Sequence, residues 1–179
     1  MADDAVFVVL FRGVGGATQL PTRPLKEELA AAGFKNVATY INSGNAIVST
    51  GLDEMAATAK IAGIVREKFG FEKEILLVSR DDWRKLIDAN PFPESVDVPT
   101  SLHVFALSAA PDEMSVEALK ARAAKHERLA VMGKVLYFHA PEGFGTSKLP
   151  PVVDRTLGVV STARNWRSVL KLMELAEKA

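Results

Sequence analysis

Apolar residues fall into two rhythms along the chain, and the rhythms alternate. Val6 to Phe11 is a short β-branched and aromatic run without helical period, which predicts a buried strand ending near Arg12. A glycine-rich loop, Gly13-Val14-Gly15-Gly16, follows. Thr22 then offers an N-cap and Pro24 suits a first helical turn. Leu25, Leu29 and Ala32 recur at helical spacing before Gly33, a left-handed stop against which Phe34 can fold back on Leu29. Val37 to Ile41 and Ala46 to Thr50 read as strands joined by Asn42-Ser43-Gly44-Asn45, residue types that tolerate the positive φ of a hairpin turn. A second helix is predicted from about Asp53 to Phe69, with Ala59, Ala62, Val65 and Phe69 on its inner face and Gly70 closing it. Glu74 to Ser79 makes a fourth strand.

The order is βαββαβ. Right-handed crossovers arrange such a unit as a four-stranded antiparallel sheet backed by two helices. Ser79 with Asp82 forms a capping box for a short helix carrying Trp83, Leu86 and Ile87, and Asn90-Pro91-Phe92-Pro93 ends it. The proline-rich stretch Pro91 to Pro99 reads as a linker, dividing the chain into halves at 1–90 and 91–179. The second half repeats the order: strand Leu102 to Leu107, helix from about Met114 to Ala124, strand Leu129 to Met132, a Gly133-Lys134 turn, and strand Val135 to His139. A helix beginning at Ser147, with Pro150 and Pro151 in its first turn, then leads to a brief strand, Val159 to Ser161. The terminal helix has Trp166, Leu170 and Met173 on one face. The fold class expected is α+β, built by duplication.

Composition narrows the chemistry. Hydrophobic residues at 48% and charged residues at 25% suit a globular core in a chain of 179 residues. The 22 basic and 22 acidic side chains cancel, so no global field draws the protein to nucleic acid or an anionic membrane, and any anion site must be local. With no cysteine, thiolate catalysis and cysteine-ligated metals are excluded. The start Met-Ala-Asp-Asp lacks the features of a signal peptide, and the longest apolar run falls far short of the roughly 20 residues of a membrane span, so the cytoplasm is the expected location.

Topology suggests where polar residues gather. In a βαββαβ sheet the end of the first strand lies beside the hairpin joining the second and third, which brings Arg12 and Gly13 next to Ser43 and Asn45. In the second half Ser147 and Lys148, at a helix start, should share one end of the sheet with Thr162 to Asn165, including Arg164. Free backbone N–H groups and these cations would suit a phosphate or carboxylate. The alternative is purely structural: tight glycine turns, caps at Ser147 and Thr162, and solvated charges. Sharper motifs are missing. The glycine loop lacks the dinucleotide-binding spacing, no phosphate-loop motif occurs, and Ser43 has no neighbouring histidine in sequence. His103, His126 and His139 are too scattered to mark a metal site.

The runs Leu10-Phe11-Arg12-Gly13, Gly33 to Asn45 with Thr39-Tyr40-Ile41-Asn42-Ser43-Gly44-Asn45, Asn90-Pro91-Phe92, and Ser161 to Trp166 with Arg164-Asn165-Trp166 resemble the bacterial family catalogued as domain of unknown function 1697 (DUF1697). The resemblance implies a duplicated, ferredoxin-like α+β fold and carries no activity or cofactor. It places Arg12, Ser43, Asn45, Lys148, Arg164 and Asn165 on matching positions. The loop after Arg12 departs from the family pattern, being shorter by an Ile-Asn pair. A small anionic metabolite, phosphorylated or nucleotide-like, is the ligand these residues favour. An RNA- or protein-binding module is the alternative, although the third strand, Ala46 to Thr50, has no aromatic on which a base could stack. A homo-oligomer is left open.

Overall fold

The structure, a computed structural model, describes residues 3–179. Strands β1 (Ala5–Phe11), β2 (Lys35–Thr39), β3 (Asn45–Thr50) and β4 (Ile75–Ser79) form an antiparallel sheet in the order β2-β3-β1-β4. Alternation along β1 sends Phe7, Val9 and Phe11 to the face covered by helices α1 (Thr22–Ala31) and α2 (Glu54–Ile64). There they join Leu25, Leu29, Phe34, Ile61 and Val65 in one core. The stop of α1 is the one its sequence announces: Gly33 takes φ 96° and the Phe34 N–H reaches the Leu29 carbonyl at 3.2 Å. Thr22 is the first helical residue rather than its cap, which is Pro21.

Asp53 caps α2 by accepting from the Ala56 N–H at 2.8 Å. The helix widens into a π-helical turn over Val65–Phe69 before Gly70 ends it. Its inner face is Ala57, Ile61 and Val65, so the expected face holds at Val65 and fails at Ala59, which is exposed. Ala62 and Phe69 still pack at the margin of that core.

The second sheet, in the order β6-β7-β5-β8, joins β5 (Leu102–Leu107), β6 (Arg128–Met132), β7 (Val135–His139) and β8 (Ser161–Asn165). Helices α4 (Glu113–Lys120) and α5 (Val153–Leu157) cover the face that carries Phe105, Leu107, Leu136 and Phe138. The chain divides into two compact units. The first runs up to Lys85 and takes in Lys171–Ala179, and the second is Leu86–Leu170. Helix α3 (Arg80–Asp88), capped by Ser79 through the Asp82 N–H at 3.1 Å, spans that division. So does α6 (Trp166–Glu177).

Three expectations need correction in the second unit. No α-helix starts at Ser147. Pro150 and Pro151 donate no N–H, so the chain winds first as a 3-10 turn, Pro150–Val152, and α5 begins after them. The last strand is Ser161–Asn165 instead of Val159 to Ser161, because pairing with β5 along its whole length draws a polar, unpatterned segment into the sheet. In α6 the buried apolar residues are Trp166, Val169, Leu172, Met173 and Ala176, while Leu170 is exposed. The stretch Pro91 to Pro99 is no loose tether either. Asn90 Oδ1 accepts from the Phe92 N–H at 3.0 Å, Phe92 is buried, and the guanidinium of Arg128 lies 4.7 Å from its ring centroid while pairing with Glu94.

The two sheets close at the same end by the same bonds. The Phe11 N–H donates to the Gly44 carbonyl at 3.0 Å and the Arg12 N–H to Glu74 at 2.9 Å; in the second unit the Leu107 N–H reaches Lys134 at 2.9 Å and the Ser108 N–H reaches Val160 at 2.8 Å. Only in the first unit is the turn glycine pressed against the strand end; Gly133 of the second unit also has a positive φ, 57°, but nothing within 4 Å of an added Cβ. Gly44 has φ 86°, and a Cβ there would stand 2.8 Å from Phe11 Cβ and 3.2 Å from Val14 Cγ2.

Gly44→Ala is therefore expected to cost about 2–4 kcal/mol, combining a left-handed backbone with a clash against a buried strand end. Gly70→Ala, at φ 76° with nothing within 4 Å of the added carbon, should cost only about 1–2 kcal/mol. Urea unfolding of both variants checks the difference, and equal losses would show that the close approach is not the constraint described.

Candidate functional site

At the closed end of the first sheet, Arg12 and Gly13 follow directly on β1 and are exposed. The glycine loop beyond them is shaped by Gly13, Gly15 and Gly16, all at positive φ (66°, 148° and 56°). It is pinned by reciprocal backbone bonds between Gly15 and Thr18 at 2.9 and 3.0 Å, and by Thr18 Oγ1 donating to the Gly15 carbonyl at 3.2 Å. A second cation enters from the segment before β4: Lys73 Nζ lies 3.8 Å from where a Gly13 Cβ would be. Sequence reasoning did not find Lys73, because only the pairing of β4 with β1 brings position 73 to position 13.

The hairpin between β2 and β3 forms the other wall. Asn45 is buried, and its Nδ2 donates to the Tyr40 carbonyl at 3.0 Å and to Ser43 Oγ at 3.3 Å. Asn45 thus holds the turn closed from within, and Ser43 remains at the exposed tip. Arg12, Gly13, Ser43 and Asn45 do come together as the topology implies, with Lys73 added.

Lys148, Arg164 and Asn165 do not form one matching cluster. Lys148 is exposed in the loop before the 3-10 turn, where Ser147 Oγ accepts from the Leu149 N–H at 3.1 Å. Arg164 and Asn165 are successive residues of β8 and so point to opposite faces. Arg164 is buried: its Nη1 donates to Thr162 Oγ1 at 2.7 Å and to the Ala163 carbonyl at 2.8 Å, and burial lowers the guanidinium to about 10. Asn165 Oδ1 accepts from the Ser168 N–H at 2.9 Å and caps α6. Moreover, Asn165 pairs with His103 near the start of β5, whereas Arg12 lies past the end of β1. Asn165 and Arg12 therefore lie at non-equivalent ends of their sheets.

That end of the second sheet holds a histidine in an unusual setting. The His103 ring stacks on Phe144 at 3.8 Å between centroids, 18° from parallel, and its buried Nδ1 has no hydrogen-bond partner. Burial lowers its pKa to about 4. Across the sheet, His139 accepts from Arg128 Nη2 at 3.2 Å, and its pKa is lowered by burial first and by Arg128 second. Among the described residues no three histidine, aspartate or glutamate side chains gather as a metal ion requires, and no helix is long and apolar enough to cross a membrane.

Residues 5–137 match the model of the family described as a protein of unknown function, DUF1697. The chain belongs to this family. The match includes Arg12, Gly13, Ser43, Asn45 and Lys73 and stops before Lys148, Arg164 and Asn165. No curated protein matches the chain. Among solved structures it is similar to a conserved bacterial protein from Streptococcus pneumoniae, 18% identical, with a TM-score of 0.72 over 97% of this chain and 99% of that one. At that identity the likeness concerns the fold, and its 97% coverage reaches past residue 137, where the family model ends.

The His103 shift has a definite sign. The folded state holds the imidazole neutral down to about pH 4, whereas the unfolded chain takes up the proton near the ordinary value of 6.5. The contribution to stability is full above 6.5 and is lost progressively as pH falls towards 4. The urea midpoint should drop over this window by more in the wild type than in His103→Leu; parallel pH profiles would assign the loss to other groups.

Proposed function

We propose that the protein binds a small anion, of the phosphate or phosphate-ester class, at the closed end of its first sheet. The observation that carries this reading is the approach of Lys73 Nζ to Gly13, on a loop where Arg12 and three positive-φ glycines leave backbone and cations exposed together. Glycines without side chains let an anion reach the main-chain N–H groups, and two cations within reach of one loop supply the local field that the neutral chain lacks. The equivalent position in the second unit is built differently. There Ser108 follows the strand, and its Oγ accepts from the Val160 N–H at 3.0 Å, spending the side chain on the backbone. The anion chemistry is a property of the first unit.

Nucleic-acid recognition on the sheet face turned away from the helices is less well supported. The residues of β1 and β3 that face away from the helices, Val6, Val8, Leu10, Asn45, Ile47 and Ser49, are all buried and include no aromatic.

Titration with inorganic phosphate, followed by calorimetry at low ionic strength, tests the reading. Arg12→Gln and Lys73→Gln should each weaken binding by about fivefold, as exposed charges do. Added salt should weaken it further. Lys148→Gln should leave it unchanged. Equal losses in all three variants would mean a diffuse charge effect, and no binding by the wild type would remove the proposal.

A further inference from the structure

Among the described residues, two that are not glycine hold a positive φ: Asn36 at 49° and Ile41 at 47°. Asparagine adopts this conformation readily, and Asn36 Nδ2 also donates to Ser49 Oγ at 3.2 Å. Isoleucine is among the residues least suited to it, because the branched Cβ crowds the following carbonyl. Nothing is recovered by hiding the side chain, since Ile41 is 47% exposed. A β-branched residue that is strained in its backbone and open to water is stabilising neither the turn nor the core. Strain of this kind gathers at ligand sites.

Its place gives the strain a use. Ile41 stands in the four-residue turn between Tyr40 and Asn45, closed by the Tyr40 N–H to the Asn45 carbonyl at 3.1 Å. The same turn is bound to the end of β1 through the Phe11 N–H and the Gly44 carbonyl. Val14, half-buried, lies over Gly44 from the glycine loop. The turn that presents Ile41 is thus attached to the strand end from which Arg12 and Gly13 emerge.

We infer that Ile41 is the specificity-determining residue of the anion site, an apolar platform for the organic part of a phosphate monoester whose phosphate lies at Arg12, Gly13 and Lys73. The inference rests on the anion-binding reading and adds the class of ester. A ligand with a flat or apolar group next to its phosphate gains from covering Ile41; free phosphate gains nothing there. Covering a few tens of Å² of apolar surface corresponds to about a tenfold gain in affinity.

The test compares inorganic phosphate with phenyl phosphate on the intact protein and on two variants. In the wild type phenyl phosphate should bind about tenfold more tightly. Ile41→Asn, which suits positive φ, should raise the melting temperature by a few degrees and bring the two affinities together while leaving that for inorganic phosphate unchanged. Ile41→Val, which keeps the branched apolar group, should preserve most of the preference. A wild type that binds both probes equally overturns the role of Ile41 and leaves the anion site standing. So does a preference that survives in Ile41→Asn. Failure of inorganic phosphate itself to bind overturns the site and the platform together.

Discussion

The hydrogen bond from the Phe11 N–H to the Gly44 carbonyl is the constraint on which the first unit depends. It fastens the β2–β3 hairpin to the end of the central strand at a distance that no side chain on residue 44 could tolerate, since its Cβ would lie 2.8 Å from Phe11 Cβ. Everything at that end of the sheet is placed by it. The turn is held closed by Asn45 from within, Val14 packs over Gly44, and the chain leaves β1 into the glycine loop. Pairing of β1 with β4 completes the arrangement by setting Lys73 beside Gly13. A buried amide and a glycine are the structural half of this junction; the exposed Arg12, Lys73, Ser43 and Ile41 are what it presents.

Duplication repeats the backbone frame and not the chemistry. Leu107 and Ser108 make the same two main-chain bonds as Phe11 and Arg12, yet Ser108 turns its hydroxyl onto the Val160 N–H, and a Gly-Lys turn replaces the longer hairpin. The second unit invests instead in the opposite end of its sheet, where His103 stacks on Phe144 opposite the Asn165 cap. Arg128 there, drawn against Phe92, Glu94 and His139, secures the segment that composition marks as a linker. One frame has been used twice, once to expose cations and once to bury aromatic and polar contacts.

Much of the first unit was legible in the sequence because its signals agree. Gly33, Phe34 and Leu29 specify the stop of α1 locally, and strands such as Val6 to Phe11 carry their own pattern. The meeting of Arg12 with the hairpin followed from topology alone. Lys73 and Ile41 were not legible as site residues, for different reasons. Lys73 reaches Gly13 through a long-range strand pairing, and the strain at Ile41 is a matter of φ, which an apolar residue between Tyr40 and Asn42 gives no means of suspecting. In the second unit Thr162 to Asn165 have no strand pattern of their own and take one from β5. Two prolines shift the start of α5 beyond Ser147, so the helix start expected to carry Ser147 and Lys148 is not formed there.

An amide-resolved NMR titration of the protein with inorganic phosphate tests the central claim most directly. The account predicts saturable shifts confined to the amides of Gly13 to Gly16 and of Ser43 and Gly44, with the amides around Lys148 and Arg164 unmoved. Shifts that centre on Lys148 and the β8 segment, or that spread evenly over exposed cations without saturating, would contradict it.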